Sequence, residues 1–523
     1  MAAPVDRPSA ASRDLQRRLG RAPPSDDLVA EVLAHVRAML SRGEGAGVAG
    51  LLDTLIQRRG ATAQALELLG HAHRQAQDLG AAGRAFAAAR RLAPTEPMLA
   101  LAAAQTDYER GVSAAGDFLE AADLLAPGHP DARRAALRNA AQAMAADGDA
   151  AGAEALLQRE LAQRPDWLDG HRVLASLLWV TGAGDRFADS YAAALAGQPD
   201  HRPLWLGWFQ ALAQVRDWPR AAEVLDRAEA ACGDGPDLRA ARMFVATESG
   251  APAEEVSRLL DLSGDLQGDG VNLCRVRALL RQGRGAEVVQ LALPLTRGPS
   301  AMTFWPYLSL AWRLTGDGRA AWLDGDPPLA RAVDVDLDGR ERRDLAARLR
   351  ELHTLSRPYA EQSVRGGTQT DRSVLLQDEP LFRRLRRKLL DAMAAYVADL
   401  PPHEEGHPLL GLRRDRLLIE GSWSVRLAGQ GYNVAHTHPV GWLSSAFYVS
   451  LPPPEQMGPA PAGWIAFGEP PPELGLPLKA YAEIEPRPGR LAVFPSYMWH
   501  CTRPFVDGER LVVAFDARRV LPA

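Results

Sequence analysis

The stretch 432–442, YNVAHTHPVGW, places two of the chain's twelve histidines one residue apart. It reads as the end of a β-strand, where residues i and i+2 point to the same face. Two imidazoles on one face can hold a metal ion. A solvated surface pair has the same spacing, because an H-x-H pair arises by chance in roughly one such chain in four. His436 and His438 therefore indicate a metal site only if another ligand supports them.

The surrounding sequence alternates with a period of two from about residue 416 to the end of the chain. Short apolar runs such as GSWSVRL, WLSSAFYVSL, GWIAFG, RLAVFP and RLVVAFDAR are separated by proline and glycine. Alternation bounded by turn residues is typical of strands in a compact antiparallel domain. We therefore predict a β domain of sandwich or barrel type over residues 416–523.

A third histidine lies in the same region, within GRLAVFPSYMWHCTRPF, residues 489–505. His500 follows a short predicted strand, and Arg510 opens the next one ten residues later. The β domain thus contains H-x-H, a strand-rich gap of about sixty residues, a lone histidine and an arginine. This order favours a metal site built by His436, His438 and His500.

The first half of the chain is rich in alanine and leucine, and it repeats. The prolines at 97, 130, 165, 199 and 236 are 33, 35, 34 and 37 residues apart, with two amphipathic helix-sized segments between them. This period resembles the tetratricopeptide repeat, although an irregular helical domain is the alternative. We predict an α-solenoid over residues 30–330 after a flexible N-terminus, residues 1–29. Such an array binds a protein or peptide, or serves as a packing platform for the other domain.

Residues 331–415 read as a helical and loop-rich lead-in to the β domain. They contain SVRGGTQT, in which Gly366 and Gly367 permit unusual backbone angles and Gln369 offers an amide. This stretch forms either a lid near the metal or a plain connecting turn. Because the period changes near residue 330, we expect two fragments cut there to fold separately.

Composition restricts the function classes. The net charge of −5 argues against a nucleic-acid binder, whose phosphate contacts need a basic surface. Three scattered cysteines fit a reducing compartment without a disulfide framework. The N-terminus lacks the apolar core of a secretory signal, and no run approaches the length of a membrane span. We expect a cytoplasmic protein without nucleic-acid or membrane partners.

Residues 355–520 resemble the iron(II)- and 2-oxoglutarate-dependent oxygenases that carry tetratricopeptide repeats in front. The motifs SVRGGTQT, GSWSVRL, HTHPVGWLSSAFYVSLP, GWIAFGEP and PGRLAVFPSYMWHCTRPF carry the resemblance. The aspartyl/asparaginyl β-hydroxylases are similar in joining such repeats to an oxygenase domain. The resemblance implies a double-stranded β-helix (jelly roll) with flanking helices, and the cofactors Fe(II), 2-oxoglutarate and O₂. It also implies that Arg510 binds the distal carboxylate of 2-oxoglutarate, with Ser445 and Arg426 as further candidates.

The sequence departs from the family pattern at one ligand. The family uses H-x-D/E…H, whereas His438 stands here in place of the acid. Three arrangements remain open. All three histidines bind the metal, or His436 and His500 bind it with water, or His438 faces the substrate. We favour the first, because H-x-H places both rings on one face.

The leading hypothesis is an oxygenase that hydroxylates a protein or peptide side chain recruited by the repeats. A small-molecule hydroxylase of the same chemistry is the alternative within the enzyme class. Outside it stand a repeat scaffold with an inactive β domain and a cupin-like metal site that does not use 2-oxoglutarate. In the cupin-like case, Arg510 would have no carboxylate to bind.

Overall fold

The chain folds as a helical array followed by an antiparallel β domain, as seen in a computed structural model. The structure describes residues 9–21, 23–125, 128–262, 264–414 and 416–519. The array begins after a first helix and extends through α19. Its helices are α1 Ala10–Arg21, α2 Asp26–Ser41, α3 Ala49–Arg59, α4 Ala63–Gln75, α5 Leu79–Leu92, α6 Pro97–Glu109, α7 Ala115–Leu125, α8 Pro130–Ala146, α9 Ala150–Gln163, α10 Leu168–Thr181, α11 Asp189–Gly197, α12 Arg202–Gln214, α13 Trp218–Cys232, α14 Pro236–Glu248, α15 Ala253–Leu262, α16 Asp269–Arg281, α17 Gly285–Leu295, α18 Ala301–Thr315 and α19 Arg319–Asp324. Short 3₁₀ helices, Gly45–Gly47 and Gly184–Ala188, precede α3 and α11.

Helices α2–α19, called the array below, form nine consecutive pairs within the described residues. The turn inside each pair contains one residue with left-handed backbone angles, and these residues recur every 33 to 37 positions: Gly43, Gln77, Gly111, Gly148, Gly182, Arg216, Gly250, Gly283 and Gly316. Glycine adopts a positive φ without steric cost, so the same turn can be repeated along the chain. Prolines also begin helices, as Pro97, Pro130 and Pro236 do. The predicted tetratricopeptide-like solenoid is confirmed.

Two of the nine turns carry a side chain where the others have glycine, and both side chains contact the β domain. The Gln77 amide donates to the Ile419 carbonyl at 2.6 Å, and its oxygen accepts from the Ile419 amide at 3.0 Å. Arg216 forms an ion pair with Glu473. At the ninth pair, Arg313 donates to the carbonyl of Gly468. The edge of the array formed by these turns therefore faces the β domain.

The β domain consists of two antiparallel sheets. The larger has the order β1-β7-β4-β9-β3-β2 and the smaller β6-β5-β8. The strands are β1 Arg331–Asp334, β2 Val364–Gln369, β3 Leu417–Asn433, β4 Leu443–Ser450, β5 Ile465–Phe467, β6 Ala482–Ile484, β7 Arg490–Pro495, β8 His500–Thr502 and β9 Arg510–Arg519. Helices α20 Gly339–Leu352, α21 Pro380–Ala398 and α22 Pro454–Met457 flank them, with a 3₁₀ helix at Pro472–Leu474. The predicted order of a solenoid followed by a β domain with flanking helices is confirmed.

The division near residue 330 does not coincide with a gap in the packing. One hydrophobic core contains buried side chains from Val276 to Ala517, so the last array helices and the large sheet share it. Residues 331–415 are also more than a lead-in, because β1 and β2 are the two edge strands of the large sheet. The expectation of two separately folding fragments is therefore wrong, since the cut would divide one core.

The N-terminus also departs from the predicted flexible segment. Residues 1–8 of that prediction lie outside the described residues. The rest contains α1, whose Leu15 and Leu19 are buried among array residues, and the start of α2. Leucines four residues apart form one apolar helix face, which accounts for the helix. Within the described residues, no helix combines the length and apolar character needed to cross a membrane.

Candidate active site

Three histidines lie together where the two sheets meet. His436 follows β3 and forms backbone hydrogen bonds in both directions with His500 on β8, at 3.1 and 3.0 Å. The ring centroids of His436 and His500 are 4.1 Å apart, and His438 lies 5.0 Å from each. One nitrogen from each of the three rings lies within 4.8 Å of the others. The structure thus brings together all three histidines predicted from the sequence, in a spacing that suits one metal ion.

Each of the three rings has an oxygen acceptor beside its Nδ1 atom. His436 Nδ1 lies 2.8 Å from the carbonyl of Val434, and His500 Nδ1 lies 3.0 Å from that of Met498. His438 Nδ1 lies 2.7 Å from a carboxylate oxygen of Asp516. Because a neutral imidazole donates from one nitrogen only, each proton belongs on Nδ1 and each Nε2 keeps its lone pair. All three rings are therefore prepared as metal ligands.

His438 is held by a buried polar network that the other two histidines lack. Ser444 Oγ donates to the same Asp516 oxygen at 2.6 Å and lies 2.8 Å from Ser496 Oγ. The His438 backbone amide donates to the Ser496 carbonyl at 2.9 Å. A carboxylate bound to the outer nitrogen of a ligating histidine fixes the ring and increases its basicity. The acid that the family pattern leads one to expect thus lies behind His438 rather than in its place.

The histidines are neutral at physiological pH. Burial lowers the pKa of His436 to about 3, and the nearby His438 lowers it further. Burial also holds the pKa of His500 well below its ordinary value, with His436 and His438 adding to the effect. A buried cationic ring would be costly beside two other imidazoles, and the same crowding favours a bound cation.

Arg510 lies on β9 on the same sheet face as the histidines. Its side chain is 2% exposed, and its Nε and Nη1 atoms have no hydrogen-bond partner among the described residues. The guanidinium carbon lies 5.1 Å from the centre of the Tyr448 ring, and the buried Tyr448 hydroxyl is likewise unpartnered there. Buried donors without acceptors are costly and rare in proteins. Together these atoms form a donor set for a carboxylate.

A cavity of about 200 Å³ connects the histidines with Arg510. Its lining comes from the large sheet, the small sheet and the segment before β2. It is lined by Glu361, Gln362, Ser363, Gln369, Trp423, Val425, Leu427, Asn433, His436, His438, Ser445, Ala446, Ile465, Phe494, His500, Thr502, Arg510, Val512 and Ala514. Gln369 is among them, and Gly366 has a φ of 72° where the β2–β3 register shifts, so SVRGGTQT forms a wall of the cavity.

The other two residues expected to bind 2-oxoglutarate are placed differently. Ser445 borders the cavity, but its hydroxyl donates to the Phe515 carbonyl at 3.0 Å. Arg426 alternates with the lining residues of β3, is not among the lining residues, and donates to Glu509 at 2.6 Å. The structure therefore does not bring the Arg426 side chain to the site.

Sequence reasoning missed Asp516, Ser444 and Tyr448. A signal existed for the first: Arg510 and Asp516 are six residues apart on one strand and so share a face. Ser444 and Tyr448 share a face of β4 for the same reason, and Ser444 pairs with Asp516 across the strands. Assigning them required the strand register, which the spacing alone does not supply.

The family comparison concerns the β domain. Residues 421–516 match the family model described as "Putative 2OG-Fe(II) oxygenase". The matched range begins in β3 and ends at Asp516, so it contains the three histidines, Tyr448 and Arg510. No curated protein matches the chain.

Solved structures resemble each half of the chain separately. A tetratricopeptide repeat protein from Parabacteroides merdae is 14% identical, with a TM-score of 0.29, over 46% of this chain and 93% of that one. HygX from Streptomyces hygroscopicus, solved with nickel, 2-oxoglutarate and hygromycin B, is 12% identical, with a TM-score of 0.26, over 38% and 85%. A Pseudomonas putida prolyl-4-hydroxylase is 18% identical, with a TM-score of 0.25, over 36% and 92%. TM-scores this low add nothing to the argument from the geometry and the family model. The C-terminal part of this chain is therefore a 2-oxoglutarate/iron(II) oxygenase domain behind a tetratricopeptide-like array, and the protein is a 2-oxoglutarate- and iron(II)-dependent oxygenase.

Proposed function

We propose that the protein hydroxylates a side chain of a polypeptide, at an iron(II) held by His436, His438 and His500. One observation carries the site assignment. A single cavity contains three imidazoles with free Nε2 atoms and, further along, a buried arginine with two unpartnered donors. 2-Oxoglutarate has the matching shape, with a metal-chelating keto acid at one end and a carboxylate at the other.

The protein's own groups divide the work of binding. The three neutral imidazoles hold the metal and leave its charge for the dianionic cosubstrate. Arg510 and Tyr448 bind the distal carboxylate, while Asp516 keeps His438 oriented. Bound iron(II) with 2-oxoglutarate and O₂ supplies the oxidising power for inserting oxygen into a C–H bond, which is the chemistry of the cofactor. Phe494, Val512 and Ala514 supply apolar walls that limit water around the metal.

The size of the cavity supports a polypeptide substrate. Sites that enclose a whole ligand usually measure about 300–1,000 Å³, whereas this cavity measures about 200 Å³. It accommodates the cosubstrate and one inserted side chain, while the rest of the substrate stays outside. Gln362, Gln369 and Asn433 line it and carry amides that can bind a peptide backbone. The array supplies surface for the remainder of a polypeptide.

A substrate search tests the proposal directly. Cell extract, separated into polypeptide and small-molecule fractions, is incubated with the iron-loaded enzyme and 2-oxoglutarate. Succinate release and mass spectrometry follow the reaction. We expect a polypeptide to gain one oxygen atom, dependent on iron and 2-oxoglutarate and absent with the His500→Ala variant. Oxygen insertion confined to the small-molecule fraction would overturn the polypeptide assignment.

A further inference from the structure

One wall of the iron cavity lies between the metal site and the array. We call residues 356–372, which include β2, the wall segment. Its lining residues are Glu361, Gln362, Ser363 and Gln369. In the large sheet the segment has one neighbour only, because β2 is an edge strand beside β3. An edge strand with a register shift at its centre is weakly fixed by its own sheet.

The array holds the first half of the wall segment. Ser356 Oγ donates to the Val180 carbonyl at 2.7 Å, and Trp179 Nε1 donates to the Pro358 carbonyl at 3.2 Å. Two array residues, Trp179 and Val180, thus fix the chain at the end of α10. Further along, Gln214 at the end of α12 donates to the Glu361 carboxylate at 3.2 Å. The group that Gln214 binds is one that lines the cavity.

The array also holds the end of the wall segment. The Tyr108 hydroxyl donates to Asp371 at 3.0 Å, and Arg372 pairs with Asp147 at 2.7 Å. The Arg372 guanidinium carbon lies 4.5 Å from the centre of the Tyr108 ring. The Arg372 side chain is only 13% exposed, so this pair is more shielded from solvent than a surface ion pair.

These contacts follow the repeat. Tyr108, Asp147, Val180 and Gln214 are at or beside the turns of four consecutive helix pairs, those formed by α6–α7, α8–α9, α10–α11 and α12–α13. Four equivalent points on a rigid solenoid therefore fix both ends of one loop-rich segment. Residues on a solenoid keep their spacing, whereas a free edge strand would fluctuate.

We propose that the array is a positioning element of the iron site: its third to sixth helix pairs hold the wall segment over the cavity and close its substrate side. The proposal builds on the iron site described under the proposed function and does not depend on the identity of the substrate. Trp179 and Tyr108 are positioning residues, because they act through the wall segment and touch no reacting group.

Matched tryptophan substitutions test this. Trp179→Phe keeps an apolar ring but removes the indole N–H bound to Pro358, and Tyr108→Phe removes the hydroxyl bound to Asp371. Trp205→Phe is the control, because Trp205 Nε1 donates to the Pro199 carbonyl at 2.8 Å entirely within the array. Amide hydrogen exchange of the full-length protein with Mn(II) and 2-oxoglutarate under nitrogen is the first measurement. We expect exchange in the wall segment to accelerate about tenfold or more in the Trp179→Phe, Tyr108→Phe double variant and to stay unchanged in Trp205→Phe.

A second measurement separates positioning from general loosening. The relaxation rate of water protons around bound Mn(II) reports how freely water reaches the metal. We expect a rise in this rate in the double variant, with unchanged affinity for 2-oxoglutarate because Arg510 and Tyr448 lie outside the wall segment. Unchanged exchange of the wall segment, or equal acceleration in Trp205→Phe, would overturn the proposal. Both readouts are independent of turnover, so a failed substrate search leaves the test intact.

Discussion

Arg510 is a fully buried cation without a carboxylate partner among the described residues. We expect Arg510→Ala to weaken 2-oxoglutarate binding by about thirty- to several-thousand-fold, because a sheltered bidentate pair is worth on the order of 2–5 kcal/mol. Calorimetry under nitrogen, with Mn(II) in place of iron, measures the dissociation constant. Metal binding should be unaffected, because arginine is not a ligand.

Two further arginine variants sharpen this test. Arg510→Lys keeps the charge but loses the planar fork, so it should restore binding only in part. Arg426→Ala is the control, because Arg426 pairs with Glu509 and is not among the cavity-lining residues. An unchanged dissociation constant in Arg510→Ala would remove the main support for the 2-oxoglutarate site.

Asp516 tests whether His438 is a metal ligand. We expect Asp516→Asn to lower metal affinity by about 10–100-fold, the usual effect of removing an outer carboxylate from a ligating histidine. His438→Ala should lower it at least as much, and His436→Ala and His500→Ala should abolish stable binding. Competition with a chromogenic chelator measures these affinities. Full iron occupancy in His438→Ala would rule out the three-histidine arrangement and leave His436 and His500 as the pair.

Asp324 predicts how stability depends on pH. It is buried where α19 meets the β domain, accepts a hydrogen bond from Ser309 at 2.6 Å, and has Arg313, Tyr481 and Tyr497 nearby. Burial raises its pKa to about 6. A raised folded-state pKa gives stability that is present below the unfolded pKa of about 4 and lost as pH rises through 6. The loss should be about 2–3 kcal/mol.

Asp324→Asn should remove this dependence, because the amide stays neutral and still accepts from Ser309. Denaturant unfolding at pH 5 and pH 8 compares the two proteins. The variant should be the more stable at pH 8, and the difference should shrink towards pH 5. An equal loss of stability between the two pH values in both proteins would contradict the assignment.

The residues that could be predicted from the sequence were those fixed by local spacing. His436 and His438 share a face two positions apart, and Arg510 follows the third histidine at a family distance. Asp516 and Tyr448 could not be assigned, because their roles depend on which strands neighbour one another. Ser445 and Arg426 illustrate the same limit, since a shift of one residue along a strand reverses its face.

At the level of secondary structure elements, the repeated turn explains how nine helix pairs keep one geometry. Gly182 and Gly316 have φ values of 87° and 68°, and an added Cβ would meet nothing within 4 Å at either position. We nevertheless expect Gly182→Ala and Gly316→Ala each to destabilise the protein by about 1–2 kcal/mol, because the cost arises from the backbone angle. Thermal unfolding measures the effect.

Gly116 is the matched control for these turns. It lies in α7, also has open space where a methyl group would be added, and has no left-handed angle. Gly116→Ala should therefore be neutral or stabilise by up to about 1 kcal/mol. Equal effects at positions 116 and 182 would show that the turn angle does not determine the cost.

The element boundaries were less predictable than the repeat. The period of about 34 residues identifies the array because each helix pair buries the same apolar positions. The strands β1 and β2 were hidden in the lead-in, since VDVD and VRGGTQ contain too few apolar residues to reveal a strand. They exist because the edges of the large sheet bind them, which is a tertiary effect that local propensity does not record.

At the level of the whole molecule, the last array helices are part of the oxygenase core. Trp499 beside His500 donates to the Pro306 carbonyl at 3.1 Å, and its ring centroid lies 5.4 Å from that of Tyr307. The Tyr497 hydroxyl donates to the Leu323 carbonyl at 2.7 Å. We expect residues 331–523 alone to lack a cooperative thermal transition, because these contacts would be lost.

A longer fragment provides the control. Residues 269–523 retain α16–α19 and hence the shared core, so they should unfold cooperatively even without the earlier pairs. Circular dichroism melts of both fragments compare them. A sharp transition in the shorter fragment would show that the β domain folds independently of the array.

The paired turns of the array also fix the length of the protein. Contacts with the oxygenase domain begin at Gln77 in the second pair and continue to Arg313 in the ninth. Free-standing repeat proteins gain or lose units during evolution because each unit touches only its neighbours. Here, removing one internal pair would shift every later turn to the wrong partner on the β domain. The number of pairs between these two residues is therefore under selection, and homologues with an active oxygenase domain should vary in length before Gln77 rather than after it.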